Sequence, residues 1–182
     1  MSKNADLTSE AGFRDYLAHL FELTSSMMKS FGYLSPVAHV AVRANPHTGE
    51  KLEETGIMTV VCPELSSEQH KDAWIETLRD LCKKTNAVGA VLVNEAWMVQ
   101  ADTNEVSKDG KSLLDTPPSK HPRRVEVVIM MVEHAKFGRE MWIANIIRNG
   151  DEVSLGEFAK NGDGSGGITG RFTQFIPQTS MN

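Results

Sequence analysis

Two glutamates stand where the surrounding pattern predicts the interior of a strand. Glu95 interrupts the apolar run from Ala87 to Val99, and Glu126 interrupts the run from Arg124 to Glu133. A carboxylate in such a setting must find a partner or take up a proton, because burying it charged and alone is costly. If the two segments pair so that Trp97 faces Arg124, Glu95 faces Glu126 on one face of a sheet. Two such carboxylates can share a proton, as acid–base enzymes exploit, or they can be neutralised by Arg123, Arg124 or a lysine of the intervening loop. A register shift of one residue would send them to opposite faces. Glu95, His121, Arg124 and Glu126 together would suffice for acid–base work on a small anionic ligand. The simpler use of the same residues is a set of charges that fixes a hairpin.

Other catalytic patterns are weaker. The histidines His19, His39, His47, His70, His121 and His134 are scattered rather than spaced as metal ligands, and no His-Glu-x-x-His helix occurs. The nearest composite site would join His47, in a turn, to His121 and to Glu95 or Glu126. Cys62 and Cys82 lack a second pair to complete a zinc site and lack a catalytic signature, so both are expected as buried free thiols. No metal or cofactor is expected, and no Gly-x-Ser-x-Gly nucleophile turn is present. Asn161-Gly-Asp-Gly-Ser-Gly-Gly-Ile-Thr-Gly resembles a phosphate-cradling loop in composition only, because no lysine is placed in it and no helix pattern follows. It reads as a flexible arm leading to Phe172, Phe175 and Ile176, a short hydrophobic anchor for the body or for a partner.

The elements that must hold these residues are legible from periodicity. Phe13, Tyr16, Leu17, Leu20, Phe21, Leu23, Met27 and Met28 recur at three- and four-residue spacing, predicting an amphipathic helix that ends near Gly32. Val37 to Ala44 reads as a strand, Asn45-Pro-His-Thr-Gly-Glu as a turn, and Gly56 to Cys62 as the antiparallel return. Ser66-Ser-Glu-Gln carries a capping pattern that opens a second helix to about Thr85, with Trp74, Ile75, Leu78, Leu81 and Cys82 as its apolar stripe. The run from Ala87 is too apolar on both faces for an edge strand and reads as central. A long polar loop from Gln100 to Pro122 precedes the fourth strand, and Glu140 to Arg148 forms the fifth. The fold class expected is α+β: an antiparallel sheet of about five strands with two helices on one face, in the order α-β-β-α-β-β-β. Residues 1–160 form a single domain and 161–182 a glycine-rich tail.

Composition narrows the classes of partner. A chain of 182 residues with 40% hydrophobic and 24% charged residues matches a globular domain that needs no disulfide or metal staple. Its net charge of −5 argues against a broad phosphate-neutralising face, so nucleic acid is disfavoured. The apolar runs Ala87 to Val93 and Val127 to Val132 fall well short of the ~18 residues a membrane helix needs. Met1-Ser-Lys-Asn-Ala-Asp is not a secretory signal, and a cytoplasmic location is expected.

Asn94-Glu-Ala-Trp-Met and Pro118-Ser-Lys-His-Pro-Arg-Arg-Val-Glu-Val-Val resemble a family of small uncharacterised bacterial and bacteriophage proteins. In that family an apolar strand ends in Glu-Ala-Trp and a Pro-x-Arg-x-Glu turn leads into the next strand. The resemblance covers roughly residues 87–150 and points to Glu95, Trp97, Pro122, Arg124 and Glu126. It implies a bacterial or phage cytosolic setting and no known reaction. The element order also looks like roadblock and profilin-like modules, which dimerise or bind partners, although fold alone does not imply function. The leading expectation is therefore a non-enzymatic binding or accessory protein, self-associating or bound to another protein, with Trp97, Arg123, Phe172 and Phe175 as contact residues. The alternative is a small-molecule or nucleotide-processing enzyme at the base of the long loop, using Glu95, His121, Arg124 and Glu126.

Overall fold

The computed structural model describes residues 6–62, 67–99, 117–161 and 175–176. Helix α1, Glu10–Phe31, starts where the Ser9 hydroxyl accepts the Gly12 N–H at 3.2 Å and donates to the Asp6 carbonyl at 2.7 Å. It ends at Gly32, whose φ of 75° is the left-handed conformation that glycine adopts most readily, and whose N–H reaches back to the Met28 carbonyl. Phe13, Tyr16, Leu17, Leu20, Thr24 and Met28 form its buried stripe. Helix α2, Glu68–Lys84, is capped by Ser67, not by Ser66 as the capping pattern had it. Trp74, Ile75, Leu78 and Cys82 are its buried side. At its end the buried Thr85 donates its hydroxyl to the Leu81 carbonyl, while its own carbonyl receives the N–H groups of Arg43 and Ala44. The helix is thereby tied to the sheet.

The described residues form seven strands, each antiparallel to its neighbours in the sheet: β1 Val37–Ala44, β2 Lys51–Val61, β3 Gly89–Met98, β4 Val125–His134, β5 Gly138–Asn149, β6 Glu152–Leu155 and β7 Ala159–Lys160. They lie in the order β2-β1-β3-β4-β5-β6, with β7 beside the middle of β5, at Trp142 and Ile143. The α+β class and the antiparallel sheet hold, as does the central place of β3. The strand count exceeds five because the chain after Asn149 turns back and runs along β5 in two segments too short to carry a period of their own.

The helices lie on opposite faces of the sheet, which corrects the expectation of one covered face. Ala41, Val91, Val93, Val128, Met130 and Val132 pack under α1. Their alternate neighbours Ala38, Val40, Val42, Ala90, Leu92 and Met131 pack with α2. Strands covered on both sides lose the polar half of their alternation. The run Gly89–Val93 is buried at every residue for this reason. Gly89 itself lets α1 approach: a Cβ there would stand 2.7 Å from the Phe13 ring.

Candidate functional site

At the end of the sheet where β3 finishes and β4 begins, Trp97 stands opposite Glu126 and Glu95 opposite Val128. The expected pairing, Trp97 with Arg124 and Glu95 with Glu126, is therefore displaced by two residues. Such a displacement preserves the face of every side chain. Glu95 and Glu126 remain on the α1 side, diagonal to one another, and each has its own partner. The Glu95 carboxylate accepts the N–H of Leu34. The Glu126 carboxylate pairs with Arg148 Nε at 2.6 Å, and Arg148 also donates to the Gly32 carbonyl at 3.2 Å. Arg124 lies over the Trp97 ring, 4.6 Å from its centre, and donates to the Ser119 carbonyl at 2.8 Å.

His121 is 1% exposed. Its Nδ1 accepts the N–H of the exposed Arg123 at 3.0 Å, and its Nε2 has no hydrogen-bond partner among the described residues. Among the described residues the bonds it makes stay within its own turn, next to the short 3-10 helix Pro118–Lys120. His47 does not join this set: it is exposed in the β1–β2 turn, at the opposite end of the sheet from Glu95, because β1 runs antiparallel to β3. Phe172 lies outside the described residues. Phe175 is buried on the other face, with α2.

The charged groups at this end thus hold the turn from Phe31 to Leu34. Gly32 is fixed through its N–H by Met28 and through its carbonyl by Arg148, and Leu34 is buried and fixed by Glu95. Between these fixed points Phe31 and Tyr33 stand 65% and 63% exposed, and Trp97 is 39% exposed beneath Arg124. Leu23 and Met27 extend the same apolar line up α1 at four-residue spacing, also exposed. Val61, the last residue of β2, is exposed at this end too, where the following Cys62 N–H meets the Pro36 carbonyl. Phe31 and Tyr33 escaped the sequence reading because helix spacing alone marks Phe31 as core. Two aromatics flanking a helix-ending glycine were the available signal. Nothing local marked Arg148.

The opposite end of the sheet holds a cleft of about 180 Å³ lined by Thr8, Arg43, Asn86, His134 and Lys136. His134 there is a packing residue. One ring nitrogen meets the Leu7 carbonyl at 3.2 Å, the other accepts the Lys136 N–H, and the ring contacts those of Phe137 and Phe13. Burial holds its pKa below the usual histidine value. Both thiols are buried and free; burial pushes Cys62 up to about 11 and, with the nearby Glu133 adding to it, Cys82 up to about 12. Neither is an activated nucleophile. Among the described residues no group of three or more His, Cys, Asp or Glu is placed to hold a metal ion, and no helix is long and apolar enough to cross a membrane. The chain matches no protein-family model, curated protein or solved structure to which it was compared.

Proposed function

We propose that the chain works as a non-enzymatic binding protein, through protein–protein contact at the aromatic end of the α1 face, and that its partner there is a second copy of itself. The observation that carries this reading is the display of Phe31 and Tyr33 on a turn held by Glu95 and Arg148. Aromatics offered on a rigid support bind at low entropic cost, and each covers roughly 150–250 Å². Phe31, Tyr33 and Trp97 together would supply a large share of the ~800 Å² per partner that a stable interface needs.

A second copy fits because the same end leads onto β2, whose outer edge carries no partner strand among the described residues. Its last stretch, Thr55-Gly-Ile-Met-Thr-Val-Val, has no charge to repel a paired strand. Antiparallel pairing of β2 with its copy is compatible with a twofold contact. An accessory or host-interaction role in a bacterial or phage setting belongs to the same proposal.

Sedimentation equilibrium of the full chain tests it. The wild type is expected as a dimer at micromolar concentration, and Phe31→Ser/Tyr33→Ser as a monomer with unchanged far-UV circular dichroism. A wild type that stays monomeric at roughly a hundredfold higher concentration, where contacts weaker by about 2.7 kcal/mol would show, overturns self-association.

A further inference from the structure

The α2 face carries a second binding arrangement, built independently of the aromatic end. A row of residues in register crosses four strands: Val40 on β1, Ala90 on β3, Glu133 on β4 and Arg139 on β5. Glu133 is 2% exposed and ion-paired with Arg139 at 3.2 Å. Its Oε2 accepts two consecutive backbone N–H groups from the C-terminal segment, those of Phe175 at 2.8 Å and Ile176 at 3.2 Å. Ala38 and Ala90 lie diagonally on neighbouring strands and leave a depression beside α2. Phe175 occupies it with Val40, Leu78, Cys82 and Leu92 around it, and Ile176 is buried alongside.

Three physical points separate this from ordinary core closure. An ion pair buried in a sheet is a poor source of stability compared with apolar residues of the same volume, and its energetic return depends on added hydrogen bonds. Here the chain's last described residues supply those bonds. Recognition of two backbone N–H groups by one carboxylate asks only for a peptide of the right path, while the depression asks for a large apolar side chain. The occupant is joined to the body through residues 162–174, a sequence that includes Gly162, Gly164, Gly166, Gly167 and Gly170.

We infer that this groove is a peptide-recognition site for an aromatic residue followed by a branched aliphatic one, occupied in cis by Phe175-Ile176 and able to accept the same sequence from a second copy of the chain. Glu133 is the backbone-reading group, and the Ala38–Ala90 depression selects the aromatic. A tethered occupant acts at an effective concentration of up to ~mM, so the free groove's affinity is masked in the wild type.

The test uses the full-length Phe175→Ala/Ile176→Ala chain and a fluorescein-labelled peptide of the sequence Thr173 to Gln178. Fluorescence anisotropy is expected to show saturable binding to the variant and binding to the wild type at least about tenfold weaker, because the tail competes. Adding Glu133→Gln is expected to weaken peptide binding by about tenfold, since a charge-assisted acceptor becomes neutral. No binding to the folded variant, or equal binding to variant and wild type, overturns the inference. If the variant does not fold, native-state hydrogen exchange of the wild type decides. The Phe175 and Ile176 amides should exchange well ahead of those of Val91 and Met130; exchange only together with them means the segment never leaves the groove and overturns the inference. Neither readout depends on whether the aromatic end dimerises.

Discussion

Glu140 shows how one side chain can organise several elements without any local mark in the sequence. It is buried on the α1 side of β5, where its carboxylate takes a two-pronged contact from Arg14 of α1, the Trp142 indole N–H at 3.0 Å and Lys160 Nζ of β7 at 3.0 Å. The Arg14 hydrogen bonds, opposed by burial and reinforced by Lys160 and Trp142, hold its pKa near 2 against an ordinary 4.5. A carboxylate with a depressed pKa stabilises the fold fully above its unfolded value, and that contribution is lost as pH falls through the folded value. Glu140 should therefore contribute roughly 2–3 kcal/mol at pH 7, fading as pH falls from about 4.5 to about 2. Urea denaturation is expected to show Glu140→Gln destabilised by about that amount at pH 7 and converging on the wild type at pH 2. Equal stability of the two proteins at neutral pH would contradict this account.

Among the elements, α1 meets β3 in close contact at Gly89. Gly89 opens β3 directly under Phe13, and an added Cβ would also stand 3.0 Å from the His134 ring. Both rings are confined by neighbours, Phe13 by His134 and His134 by Phe137, so neither can yield freely. Gly89→Ala is accordingly expected to cost about 1–3 kcal/mol through overpacking, read as a lowered urea midpoint with an unchanged m-value. Helix limits and strand interiors of this kind were readable in advance, because capping residues and apolar spacing act over a few neighbouring positions. The β3–β4 register was not readable. A displacement of two residues leaves the alternation of each strand unchanged and keeps Val91, Val93, Val128 and Met130 on the α1 side, so the local pattern does not choose between the two registers.

For the molecule as a whole, the three layers leave two consequences: a β2 edge with no partner strand among the described residues and an aromatic end beside it. If β2 pairs with its copy in the proposed dimer, a charge on that edge should block association without disturbing the fold. Val61 is exposed at the end of β2, so Val61→Lys is expected to shift the protein towards monomer in sedimentation while changing stability by no more than about 0.5 kcal/mol. A dimer unaffected by Val61→Lys would place the contact on α1 and the Phe31–Tyr33 turn alone.

By itself the sequence determined the two helices with their buried stripes, the β1–β2 hairpin, the central strand β3 and the burial of both thiols. These follow from local forces: capping, turn chemistry and the period of apolar residues. It also exposed Glu95 and Glu126 as carboxylates in need of partners, since a charge in an apolar strand is anomalous wherever the strand goes. Only the tertiary structure decided who those partners are, Leu34 for one and Arg148 for the other. It likewise decided that α1 and α2 take opposite faces and that Phe175 and Ile176 meet Glu133. Each of those outcomes joins residues distant in the chain, and packing of the whole sheet, not the pattern of any one segment, selects among the pairings that local sequence allows.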